Sequence, residues 1–318
     1  MTSPSSPRPL LALSGGTGGA KLLDGLARAV GQEALCAVVN TGDDGDFYGL
    51  RVCPDLDICC YTLAGVVDER GWGYAGDSFR CLEGLAGYGR PAWFNLGDRD
   101  LATHIHRTLR LGEGWTLSQV TAELCERLGV AARVLPMTDQ PVRTRITTPG
   151  GVRSFQEYLV ERGAREQISR IELLGIDQAR PAPGLVEQIA AAERIVICPS
   201  SPVVSIGTIL AVPGVREALA ARRERTVAVS PIVGKRPVEG PADRFLAGAG
   251  YPECTAAQMA RIYADVAATF VLDARDADEA PAIEALGVRP VLVDALMPDR
   301  QARLRLARET LAALGAGG

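Results

Sequence analysis

Short, wholly apolar runs recur along this chain, and segments with helical spacing are set between them. The runs are Leu10–Ser14, Ala34–Asn40, Ile195–Cys198, Thr226–Ser230, Phe270–Leu272 and Pro290–Val293. Helical patterns cover Ala20–Val30, Pro183–Ala192, Val215–Arg223, Thr255–Val266 and Arg300–Leu314. A continuous apolar strand is one buried on both faces, and strands alternating with helices build a parallel sheet. The expected fold class is therefore α/β, a doubly wound, mostly parallel, Rossmann-like sheet. Residues 57–135 read mainly as helix and form a helical insertion in that body. Residues 143–174 hold a hairpin closed by Pro149-Gly150-Gly151, then a helix and a further strand. Residues 1–9 read as a flexible polar tail and residues 10–318 as one domain.

Ligands of such sheets bind beyond the carboxyl ends of the strands. There this chain has Gly15–Gly19, Thr41–Asp46, Pro199–Ser205 and Pro231–Lys235, all polar and rich in Gly or Pro. The first, in "LALSGGTGGAKLLDGL", looks like a phosphate turn but fits neither common fingerprint. Ala20 precedes Lys21 and Leu22 follows it, which excludes a P-loop. Lys21 also stands where a dinucleotide pattern begun at Gly16 needs a small residue.

The second loop is sharper. Asp43, Asp44, Asp46, Asp55 and Asp57 fall within fifteen positions, behind Asn40 and Thr41. Asp and Gly are ordinary turn formers, so a solvated acidic turn is the plain alternative. Asp55 and Asp57, however, are flanked by apolar residues, and carboxylates pressed against a core need a partner. Without histidines nearby, a hard divalent cation suits them, and magnesium suits best where phosphate oxygens complete its shell. Asn95, Asp98, Arg99 and Asp100 open a helix that is either an anion site or a capped terminus. His104 is a candidate general base, against the commoner role of a packing residue. Ser200, Ser201 and Ser205 offer hydroxyls, and Lys235 and Arg236 offer positive charge.

Composition removes other classes. A net charge of −4 and a pI near 5.4 exclude a basic nucleic-acid face. No apolar run has the length of a bilayer crossing, so no membrane partner and a cytoplasmic location are expected. The eight cysteines lack paired zinc spacing and read as reduced, mostly buried thiols. With no nucleophile motif, the chemistry expected is direct phosphoryl-type transfer driven by positioning and charge neutralisation.

The segments "GGTGGAKLLDGL", "NTGDD", "GLRVCPDLDICCYTLAG", "NLGDRDLATHI", "LPMTDQPVRT", "FQEYLV", "PSSPVVSIGTIL" and "VSPIVGKRPVEGPAD" occur in that order from about residue 10 to 300. Together they resemble the CofD family of 2-phospho-L-lactate transferases, called FbiA in mycobacteria. The resemblance implies a magnesium-dependent step of coenzyme F-420 biosynthesis. A guanosine-diphosphate-activated phospho-acid (phospholactate or its enolpyruvyl or glyceryl analogue) is transferred to the ribityl hydroxyl of 8-hydroxy-5-deazariboflavin, Fo, releasing GMP. It implies small-molecule substrates and a homodimer. On this reading Gly15, Gly16, Thr17, Gly18, Gly19 and Lys21 receive the diphosphate. Asp44 and Asp57 lead as catalytic residues and magnesium ligands, supported by Asp43 and Asp55. Asn40, Asn95, Asp98, Arg99, Ser200, Ser201 and Val233 are further substrate contacts. Trp72, Tyr74, Trp93 and Phe94 are the flat side chains available to Fo. A related branch, a non-catalytic regulator that binds a UDP-sugar, is the alternative.

Overall fold

Every apolar run forms a strand of one sheet, and a seventh strand adds an edge. The strands are β1 (Leu10–Ser14), β2 (Leu35–Val39), β3 (Arg133–Pro136), β4 (Arg194–Ile197), β5 (Thr226–Val229), β6 (Thr269–Asp273) and β7 (Arg289–Val293). Their order is β7-β6-β5-β4-β1-β2-β3, with every neighbouring pair parallel. The computed structural model describes residues 8–315. Most of the expected 1–9 tail, and the last three residues of the expected domain, lie outside the described residues. β3 ends the stretch expected to be helical. Its four residues are too few to display a period, so sequence pattern alone missed it.

The strands alternate between two apolar layers. Leu11 and Leu13 of β1 face the layer of Ile189, Ile209 and Phe270. Leu10 and Ala12 face Leu22, Leu23 and Leu26 of helix α1 (Gly16–Val30). With both faces covered, each strand must be apolar throughout, which explains the unbroken runs. A second helix of that layer, α4 (Arg300–Gly315), crosses α1 at Gly25, where any Cβ would strike the Arg303 carbonyl.

Two excursions leave the sheet on the side where the strands end. One carries α2 (Pro54–Ala64), a short helix Arg80–Gly87 and α3 (Asp98–Gly112). The other begins as the expected hairpin: Arg143–Thr148 pairs antiparallel with Gly151–Ser154 and, on its other edge, with Arg170–Leu174. Phe155 and Tyr158 then pack on Phe245.

Strand order reverses between β1 and β4, because the chain runs outward through β2 and β3 before returning to the other side of β1. Such a switch point opens a crevice at the strand ends. Register sets its floor level: Ser14 lies beside Val39, and Leu13 beside Ile197. Three connections therefore leave the sheet side by side.

Candidate active site

At the switch point the glycine-rich segment is mostly helix. α1 starts at Gly16, with Gly15 as its extended N-cap, so the expected turn through Gly19 is its first turn. Glycines disfavour a helix interior, but here tertiary contacts demand them. A Cβ on Gly18 would lie 2.6 Å from the Pro199 carbonyl oxygen, and one on Gly19 would strike the Ser14 and Ser200 hydroxyls. Gly16 takes φ +64°, which favours glycine. The N-cap Gly15 has no side chain with which to cap α1, its first turn has no acidic residue, and the Gly16 N–H lies against the Asp55 carboxylate. Across the switch point, the Gly15 N–H donates to Ser200 Oγ at 3.1 Å.

The crevice is a cleft of about 580 Å³. Gly15, Gly16, Thr17, Gly18, Lys21, Asn95, Ser200 and Ser201 are among the residues that line it. Lys21 reaches across the mouth to Glu239 at 2.5 Å.

Beneath the glycines lies an acid pair. Asn40 donates from one amide nitrogen to Asp43 Oδ2 at 3.1 Å and Asp55 Oδ2 at 2.9 Å. Its own carbonyl accepts the Gly42 N–H at 2.9 Å, which fixes the orientation of the amide. Asp55 sits in the first turn of α2, behind Pro54, where the helix dipole favours a negative charge. A Cβ on Gly15 would lie 2.7 Å from Asp55 Oδ2, so glycine there leaves the carboxylate open to the cleft. Burial pushes the Asp55 carboxyl up to about 6. Burial, then the neighbouring Asp55 and Asp44, pushes Asp43 well above the usual carboxylate range. Asp43 Oδ1 is buried without a hydrogen-bond partner among the described residues.

Asp57, two residues along α2, meets different surroundings. Arg107 of α3, 1 % exposed, grips it with both terminal nitrogens: Nη1 at 3.1 Å from Oδ2, and Nη2 on Oδ1. The same Nη1 lies 3.2 Å from His104 Nδ1. His104 Nε2 lies 3.3 Å from Asp100 Oδ1, which accepts the Tyr61 hydroxyl at 2.8 Å. Asp57, Tyr61, Asp100 and His104 reach the cleft; Arg107 stands behind them. Sequence reasoning missed Arg107, although Asp100, His104 and Arg107 recur at i, i+4 and i+7. Polar residues on one helix stripe that proves buried were the available signal.

Other expected residues stand elsewhere. Asp44 is buried and pushed up to about 7 by burial, and does not line the cleft; nor do Asn40 and Gly19. Asp98 takes the Ser78 hydroxyl at 2.6 Å and the Cys81 N–H at 3.0 Å, tying the start of the short helix Arg80–Gly87. Arg99 is exposed, and its N–H donates to Asp77. Val233 is buried in a two-residue strand, and the Gly234 and Lys235 N–H groups donate to Asp276 instead of a substrate. Of that turn Pro231 lines the cleft, joined by Val238–Pro241. Trp72 and Phe94 line it, while Tyr74 packs on Tyr61 and Trp93 on Phe47. A second apolar wall, Phe155, Leu159, Val160 and Phe245, was not expected. All eight thiols are free, with Cys81 exposed and Cys254 half-buried. Among the described residues no helix is long and apolar enough to cross a membrane.

Comparison with known proteins fits this architecture. Residues 10–309 match the family model of 2-phospho-L-lactate transferase CofD. The chain belongs to the CofD family. It is 46% identical over 309 residues to the phosphoenolpyruvate transferase of Streptomyces griseus, covering 95% of this chain and 97% of that protein. The phosphoenolpyruvate transferase of Mycolicibacterium smegmatis is 40% identical over 316 residues, covering 94% of this chain and 96% of the relative. A crystal structure of a UPF0052 family member from Bacillus halodurans superposes with a TM-score of 0.63 at 17% identity, over 96% of this chain and 100% of the other. That likeness concerns the fold. The sequence relatives decide for an enzyme, a transferase acting on phosphate-bearing substrates, over the non-catalytic alternative.

Proposed function

We propose that this CofD-family transferase carries a phospho-acid from its guanosine-diphosphate-activated form to the ribityl hydroxyl of Fo, releasing GMP, in coenzyme F-420 biosynthesis. The names of its relatives favour phosphoenolpyruvate as the acid. The observation that carries the reading is the cleft itself: the glycine-rich N-terminus of α1 stands over a buried acid pair, and Ile58, Trp72, Phe94 and Leu96 supply apolar lining. A helix N-terminus suits a diphosphate, and a flat, uncharged tricycle suits the apolar lining.

In the reaction, the hydroxyl oxygen attacks the phosphorus that bears the acid. The bond from that phosphorus to the bridging oxygen breaks, and GMP leaves with the bridging oxygen. The N–H groups of α1, with Ser200 and Ser201, hold the diphosphate, and Lys21 neutralises it once freed from Glu239. A carboxylate of the acidic cluster takes the hydroxyl proton.

Magnesium fits the pair. Among the described residues Asp43 Oδ1 has no hydrogen-bond partner, and no basic side chain hydrogen-bonds to Asp43 or Asp55. No cluster of three or more His, Cys, Asp or Glu stands at metal-binding spacing among those residues. Asp43 and Asp55 would thus hold the ion with phosphate oxygens and water, as magnesium prefers. When bound, it would neutralise charge developing on the diphosphate. Asp57, already paired with Arg107, and Asp44, off the cleft, are not ligands in this proposal.

The test is mass spectrometry of the mixture formed from Fo and each guanosine-diphosphate-activated acid. A phospho-acid ester of Fo with equimolar GMP is expected, and its absence with every acid overturns the proposal.

A further inference from the structure

His104 is 1 % exposed, lines the cleft, and its Nε2 has no hydrogen-bond partner among the described residues. The other ring nitrogen decides what this atom is. Nδ1 lies 3.2 Å from Arg107 Nη1, and a guanidinium has only donors. Among the described residues the carboxylate near Nδ1, Asp57 Oδ2, is 3.7 Å away, beyond hydrogen-bond reach. Nδ1 is therefore the acceptor, and the ring hydrogen sits on Nε2. Arg107 cannot swing away to reverse this, because Asp57 holds both of its terminal nitrogens.

The consequence inverts the role that sequence suggested. A general base needs a free lone pair, and here Nδ1 spends its lone pair on Arg107 while Nε2 carries the hydrogen. Ile58, Tyr61, Trp72, Phe94 and Leu96 line the same cleft, with the Asp57 and Asp100 carboxylates beside the ring. A buried donor left unpaired costs free energy that a bound acceptor atom recovers. Asp100 Oδ1, at 3.3 Å but misaligned and already taking the Tyr61 hydroxyl, does not satisfy it.

We infer that His104 Nε2–H is a substrate-binding donor, oriented by Arg107, for a carbonyl or hydroxyl oxygen of the flat aromatic acceptor. This rests on the proposed acceptor, Fo, and adds the residue that orients it. The chain has two histidines, so ¹⁵N NMR of the wild-type imidazoles reads the tautomer directly. The His104 signals should show a protonated Nε2 and an unprotonated Nδ1, with Nε2 shifting when Fo is added. An unprotonated Nε2 overturns the inference without any variant.

Fluorescence titration with Fo, and calorimetry with GDP, complete the test. His104→Phe keeps the ring but loses the donor, and should weaken Fo about tenfold while leaving GDP unchanged. His104→Gln restores an amide N–H near the same place and should recover most of the loss. Wild type that binds Fo, with a folded His104→Phe that binds it equally well, overturns this inference alone. Wild type that does not bind Fo overturns the acceptor reading and this inference together.

Discussion

Asp55 and Asp57 are two residues apart on one helix, equally buried, and live in opposite electrostatic settings. Asp55 shares an amide with another carboxylate and, among the described residues, takes no hydrogen bond from a basic side chain. Asp57 has a guanidinium of its own. Removing a charge from water is costly in both places, and the two are compensated differently. Arg107 compensates Asp57 permanently, which locks α2 to α3. The Asp43–Asp55 pair is left uncompensated by the protein, and so is ready for an ion or a proton that comes with the substrate. One carboxylate holds the floor of the cleft rigid; the other is available for chemistry.

The most severe way to break this contrast is Arg107→Met, which strands Asp57 as an uncompensated buried charge. Stability should fall by about 3–5 kcal/mol, read by denaturant unfolding, and the double variant Arg107→Met with Asp57→Leu should regain most of it. A loss below about 1 kcal/mol would mean that Asp57 is no more committed than Asp55.

Asp55→Asn should do the reverse. Turnover should fall at least about a hundredfold, through loss of charge stabilisation, while the fold is kept. The sign of its pH dependence follows from a carboxyl raised to about 6 in the folded state from a usual 3.8. The folded protein binds the proton more tightly, so the stability contribution is full below pH 4 and lost as pH rises through 6. Removing the charge should therefore make the metal-free variant more stable than wild type at pH 8, by on the order of 2 kcal/mol, with no difference near pH 4. Equal melting curves at pH 8 would count against the uncompensated pair.

Gly15→Ala sharpens the comparison from the ligand side. Its Cβ would lie 2.7 Å from both Asp55 Oδ2 and Ser205 Cβ, displacing the available carboxylate and leaving Asp57 alone. GDP affinity should drop about tenfold, about 1.4 kcal/mol, by calorimetry. Unchanged affinity would make the glycines mere packing. The smallest effect belongs to Glu239→Gln, which frees Lys21 from a half-exposed ion pair. Surface pairs are worth about 0–1 kcal/mol, so GDP should bind up to about fivefold tighter. Weaker binding would show that Glu239 helps the nucleotide.

Much of the frame was legible. The unbroken apolar runs named six of the seven strands, since only strands covered on both faces read that way. The Gly-rich and Ser-rich loops were placed at one edge by the rule for strand ends, and Gly15 and Ser200 do meet there. The helix start at Gly16 was not legible, because glycine's intrinsic preference opposes it. Only the Pro199 carbonyl and the Ser14 and Ser200 hydroxyls, remote in sequence, make glycine necessary.

The density of carboxylates around residues 43–57 was written in the sequence, and with it the expectation of a charged, oxygen-rich site. Which carboxylate is free for chemistry was decided in three dimensions. Residues two apart on a helix point about 200° apart, so Asp55 and Asp57 face different neighbours however alike they look in the chain. The neighbour that separates them, Arg107, is fifty positions away on a helix that sequence alone could not dock.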